Sequence, residues 1–109
     1  MVGKFTLKDI KEALVKSIIA FNPDYFKPFL FDDKVQCDAT SKNAFYKLFK
    51  MMVCSAKAES VGKLKLTIEE TDDPRKKLYC FYDEVHLHSR LNIDVIENED
   101  SIWIEILPF

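Results

Sequence analysis

The apolar period of the chain changes once, and that change constrains the fold more than any other feature. Up to residue 59 the apolar residues recur at helical spacing; from residue 63 they alternate. A stripe recurring every three to four residues marks one face of a helix, and strict alternation marks a strand with one face to bury. Helical segments followed by strands predict an α+β domain rather than a chain of βαβ units.

Thr6 is a helix N-cap with Asp9 three residues later, the spacing of a capping box. Leu7, Ile10, Leu14, Ile18 and Phe21 form the apolar stripe behind it, and Asn22-Pro23 ends the helix. Residues 24–40 mix Pro28 with Tyr25, Phe26, Phe29, Leu30 and Phe31. The aromatics predict packing and the prolines forbid a long regular element, so a short helical turn or a pinned extended stretch is expected. A second helix is predicted over 41–59, capped by Ser41, with Phe45, Leu48, Phe49, Met52 and Ala56 buried and Asn43, Tyr46, Lys47, Lys50 and Lys57 outside. Gly62 follows as a stop.

Four strands are expected next. Residues 63–69 place Leu64, Leu66 and Ile68 inward. Residues 77–82 are rich in aromatics. Residues 86–96 place Leu87, Leu91, Ile93 and Val95 on one face. Residues 101–107 place Ile102, Ile104 and Ile106 inward. The polar stretches between them are short, so neighbours should pair antiparallel. The expected architecture is a single domain over 1–109, with two N-terminal helices on one face of a four-stranded antiparallel meander.

Charge is divided along this order. Residues 1–66 carry twelve lysines against seven carboxylates, +5; residues 67–109 carry four cations against eleven carboxylates, −7. Such an asymmetry points to a partner surface. Glu69, Glu70, Asp72 and Asp73 fall at the first predicted turn, and Glu97, Glu99 and Asp100 at the third. In a meander these turns share an end, which makes one acidic rim. Trp103 and Glu105 are out of phase with the inward isoleucines, so they face away from the helices. An aromatic beside carboxylates on an open sheet face has the composition of a protein interface. Segment 23–40 is the one stretch that would cover that face.

His86 and His88, two apart on a predicted strand, share a face with Arg90, Asn92 and Asp94. This is an alternative site, for a metal or for acid–base chemistry on an anion. The spacing supplies two ligands where a metal needs three or four. Cys37, Cys54 and Cys80 form no C-x-x-C pair and are read as free thiols. The two glycines exclude a Gly-rich phosphate loop. The two arginines both lie in the acidic half, which argues against nucleic acid as the partner. Charges interrupt the first helix, so neither an export signal nor a membrane span is read there. The apolar end Leu107-Pro108-Phe109 either docks into the core or adds to a contact surface.

These features lead to a protein-binding module of inhibitor or immunity type, cytoplasmic and without cofactor, that covers a basic partner such as a toxin nuclease through its acidic C-terminal half. A small enzyme centred on His86, His88 and Arg90 is a second reading. A homo-oligomer paired through the open sheet face is a third.

Overall fold

The computed structural model describes residues 5–107. Pro108 and Phe109, whose apolar character suggested docking, lie outside them. Helix α1 spans Leu7–Ile19. Its capping box is formed in both directions: the Asp9 amide donates to Thr6 Oγ1 at 3.0 Å and the Thr6 amide to Asp9 Oδ2 at 3.1 Å. A cap of this kind contributes about 1 kcal/mol. The helix ends at Ile19, less than one turn before the expected stop at Asn22-Pro23. Phe21 takes a left-handed φ of 54°. Its amide donates to the Ile18 carbonyl at 3.1 Å and that of Asn22 to Ser17 at 2.8 Å. This is a Schellman termination, built on a residue whose side chain packs on the core rather than on glycine.

The proline-rich segment resolves into three short pieces: a 3₁₀ turn at Pro23–Tyr25, helix α2 at Lys27–Leu30 and strand β1 at Val35–Cys37. Helix α3 spans Lys42–Glu59, with Ser41 Oγ accepting from the Ala44 amide at 3.0 Å. Four longer strands follow: β2 (Leu64–Glu70), β3 (Lys76–Asp83), β4 (Ser89–Glu97) and β5 (Ile102–Leu107). The fold is α+β, but the sheet has five strands in the order β1-β5-β4-β3-β2, not four. The added strand β1 runs parallel to β5, with Val35 opposite Ile102 and Cys37 opposite Ile104. A three-residue strand carries too little alternation to be read from its sequence.

Cross-strand register divides the sheet into two faces. Leu64, Leu66 and Ile68 lie opposite Asp83, Phe81 and Tyr79; Tyr79 and Phe81 lie opposite Ile93 and Leu91; Ile93 and Val95 lie opposite Ile106 and Ile104. Both long helices bury their stripes on this inner face. Phe26, Phe45, Phe49 and Phe81 are fully buried between the layers, with Phe26 and Phe49 ring centroids 5.5 Å apart. The stripe of α3 is rotated from the expected one. Tyr46 and Val53 are buried, while Leu48 is 37% exposed. Tyr46 turns inward because its hydroxyl donates to the Asp24 carboxylate from the 3₁₀ turn. The phenol is thereby satisfied while its ring packs.

Asp83, at the end of β3, is a fully buried carboxylate that joins two connections. It accepts from the Val61 amide at 3.0 Å, in the α3–β2 connection, and from the Val85 amide at 2.7 Å and the His86 amide at 3.3 Å, in the β3–β4 turn. The Val61 amide is the leading cause that holds its carboxyl well below the usual carboxylate range; the other two amides and the His86 ring add to it, against desolvation. Gly62, beside Val61, sits at φ +106°, where a side chain is strained.

Two outcomes follow from this architecture. Phe81→Ala should lower stability in urea by about 3–5 kcal/mol, whereas Ile68→Ala, at a half-exposed position, should cost about 1 kcal/mol or less. A carboxylate with a depressed folded pKa stabilises above its unfolded value, about 3.9, and that stabilisation is lost as pH falls. Asp83→Asn, which sets an amide donor against backbone N–H groups, should therefore melt at lower temperature than wild type at pH 7. The difference should narrow steadily as pH falls below about 4. Melting curves that stay parallel down to pH 2 would exclude this role.

Candidate functional site

The outer face of the sheet carries the side chains that alternate with the core. Three rows cross it. Ile96 lies opposite Trp103, which lies opposite Gln36 on β1. Glu69, Leu78, Asp94 and Glu105 form the second row, and Thr67, Cys80, Asn92 and Leu107 the third. Residues 23–34 do not cover this face. They sit among the helices, as the Phe26–Phe49 contact requires. Strand β1 widens the sheet without screening it. No described element packs on the outer face, and Leu78, Ile96, Trp103 and Leu107 are half-buried only by one another and their strand neighbours.

The middle row is electrostatically unusual. Asp94 and Glu105 are direct cross-strand neighbours, and like charges so placed repel. Lys76 offsets one of them, with Nζ 3.3 Å from Asp94 Oδ2. Glu105 has no ion-pair partner among the described residues. At the far end of the row Cys80 Sγ donates to Glu69 at 3.1 Å. Burial first, then this hydrogen bond and the carboxylate charge, push the Cys80 thiol up to about 11. The thiol is thereby kept protonated at neutral pH. In the third row Asn92 Oδ1 is shielded from solvent and meets no hydrogen-bond donor among the described residues.

The two acidic turns do lie together. The Glu97 amide donates to the Arg75 carbonyl at 2.9 Å, and the Arg75 guanidinium to Asn98 Oδ1 at 3.0 Å. They are not a bare negative rim, however. Glu97 receives Lys11 of α1 at 2.6 Å, Asp73 receives Arg75 at 3.1 Å, and Glu70 receives Lys77. The hydrogen bonds and charge of Arg75 hold the Asp73 carboxyl below its ordinary value. Of the seven carboxylates expected on the rim, Glu69, Asp72, Glu99 and Asp100 are exposed and without a cation among the described residues. The negative potential is concentrated on those four and on Glu105. Lys11 comes from a distant element, so its pairing could not be read locally. Arg75 in the turn and Lys76 and Lys77 at the start of β3 are its visible counter-charges.

His86 and His88 are not on a strand. The chain turns through residues 84–88, and β4 begins at Ser89. The reason is Asp83, whose carboxylate draws in the Val85 and His86 amides and shapes the turn. Leu87, expected inward, takes a left-handed φ of 58° and is 72% exposed. The His86 ring is 3.4 Å from Asp83 Oδ2, and the two imidazole centroids are 6.2 Å apart. A register shift between Phe81 and Tyr82 moves Arg90 off the face of Asn92 and Asp94. Its guanidinium reaches Asp83 at 3.6 Å and Glu59 at 3.7 Å. Among the described residues no group of three His, Cys, Asp or Glu side chains is placed to hold a metal ion. His86 and Arg90 thus share the anchoring carboxylate of the turn, and His88 stands beside it in solvent.

No described helix is long and apolar enough to cross a membrane. No protein-family model matches the chain, and no curated protein matches it. Among solved structures it is similar to an uncharacterized cystatin-fold protein from Novosphingobium aromaticivorans. That similarity covers 92% of this chain and 96% of the other, at 10% identity and a TM-score of 0.49.

Proposed function

We propose that this protein is a binding module that covers a basic protein partner, in the manner of an inhibitor or immunity protein, through the outer face of its sheet. The observation that supports this most is the uncovered row of Glu69, Leu78, Asp94 and Glu105 beside Trp103 and Ile96. A half-buried Trp among aliphatic side chains supplies an anchor, and aromatic anchors carry a large share of interface energy. The carboxylates beside it supply complementarity to lysine and arginine. Asp72, Glu99 and Asp100, exposed at the end of the same sheet, steer such a partner during approach. A toxin nuclease has the required surface chemistry, because any protein that grips phosphates presents cations.

A second reading uses the same face. Leu78, Ile96, Trp103 and Leu107 are apolar enough to pair with a second copy. Self-pairing would bring the Asp94–Glu105 pair of each copy near its counterpart, which costs energy unless cations intervene. The basic partner avoids that cost.

The test combines capture and size. The wild-type chain, immobilised at low salt, should retain a basic protein from its host's lysate and release it as salt shortens the screening length from about 30 Å to about 5 Å. Trp103→Ala should weaken binding of the recovered protein at every salt concentration. Glu105→Lys, or the triple exchange of Asp72, Glu99 and Asp100 to Lys, should chiefly slow association. Retention that ignores both salt and these substitutions would overturn the proposal. A monodisperse dimer by light scattering that Trp103→Ala converts to monomer would favour self-pairing instead.

A further inference from the structure

Strand β2 forms one border of the sheet, and only one side of its backbone is paired. Its register with β3 runs from Leu64 opposite Asp83 to Glu70 opposite Lys77. One step outside that ladder, the Glu84 amide donates to the Lys63 carbonyl at 3.2 Å. Hydrogen-bonded residues alternate along an antiparallel ladder, so Lys65, Thr67 and Glu69 direct their amides and carbonyls to β3. Those of Leu64, Leu66, Ile68 and Glu70 point out of the sheet, and no described backbone group meets them there. Such a border is a template for another strand.

The side chains along this border select which strand. On the outer face Lys65 and Glu69 are exposed, and neither has an ion-pair partner among the described residues. Across β3 they face Tyr82 and Leu78, which offer no charge. On the inner face Leu66 is half-buried and Ile68 is 49% exposed. Helix α1 does not close over Ile68; it leaves a depression of about 320 Å³ between Val15 and that side chain.

We propose that two copies of this chain pair antiparallel through β2, about a two-fold axis at Thr67. Leu64–Glu70 is its own complement about that residue. Lys65 of each copy lies opposite Glu69 of the other, and Leu66 of each lies opposite Ile68 of the other. The symmetry makes each contact twice. Leu66 and Ile68 are also the residues whose amides and carbonyls point outward, so one register completes the backbone bonds, the charges and the apolar contacts together. Moving the axis one residue toward Glu70 sets Leu66 against Glu70. Moving it toward Leu64 sets Lys65 against Thr67. Cross-strand pairs of opposite charge and of aliphatic side chains stabilise a sheet, and like charges there destabilise it. The pair is closed, because it occupies the β2 border of both copies. It uses the border of the sheet and leaves the Trp103 band open, so it does not rest on the proposed protein interface.

The test is sedimentation of the intact chain over a concentration series at low salt. A reversible equilibrium between monomer and dimer is expected, with no larger species. Lys65→Glu and Glu69→Lys each set like charges opposite one another and should weaken the dimer about tenfold or more. Mixed in equal amounts, the two variants should recover it as a heterodimer, and so should both exchanges made in one chain. That rescue reports the register rather than fold stability. Ile68→Pro, which removes an outward amide without touching the ladder to β3, should also weaken the dimer, and melting curves identify a variant that fails to fold. Trp103→Ala should leave the dimer unchanged. A monomer at every concentration up to about 1 mM would overturn the proposal. So would a dimer indifferent to Lys65→Glu, Glu69→Lys and Ile68→Pro, a variant mixture that stays monomeric, or a dimer that Trp103→Ala disperses.

Discussion

The inner face of β3, β4 and β5 is dry because helices α1 and α3 lie on it together, with Phe26 of the connecting segment lodged between them. Phe26, Phe45, Phe49 and Phe81 fill the space that two helices on a twisted sheet cannot close with aliphatic side chains alone. Every other arrangement follows from that layer. The 3₁₀ turn is held where its Asp24 can receive Tyr46, and β1 is delivered alongside β5. The strands keep a strict inside and outside because a slip of one residue would move every core side chain to the wrong face.

Two helices do not cover five strands on both sides. On the inner side the cover ends near Leu66, and Ile68 is left half-exposed beside the border of the sheet. On the outer side there is no cover, and the surface is a shallow band of half-buried aliphatic and aromatic side chains crossed by a row of carboxylates. Border and face recognise by different means: a border strand pairs through its backbone, while a flat band offers area to another macromolecule.

Much of this was legible in the sequence. The N-caps at Thr6 and Ser41, the period-two strands, the outward placement of Trp103 and the meeting of the two acidic turns all follow from local pattern and simple topology. What could not be read came from contacts distant along the chain. Strand β1 is a strand only because β5 lies beside it. Tyr46 is inside only because Asp24 reaches it. The rim is partly neutral because Lys11 returns from the first helix to Glu97. The turn at 84–88 departs from the local pattern for a different reason. His86, Leu87 and His88 continue an alternating pattern, but the Asp83 carboxylate offers their backbone a stronger partner than another strand would.

Strand β1 has a consequence that its three residues do not advertise. Without it, the apolar strand β5 would present unpaired N–H and C=O groups along one border of the sheet, a template for pairing with other chains. Covering Ile102 to Ile104 leaves a border too short to propagate. At the opposite border β2 is long, but Lys65, Glu69 and Glu70 punctuate it, and charges so placed resist the addition of a foreign strand that does not match them. The broad apolar band between the two borders can therefore be presented to a partner without open-ended growth of the sheet.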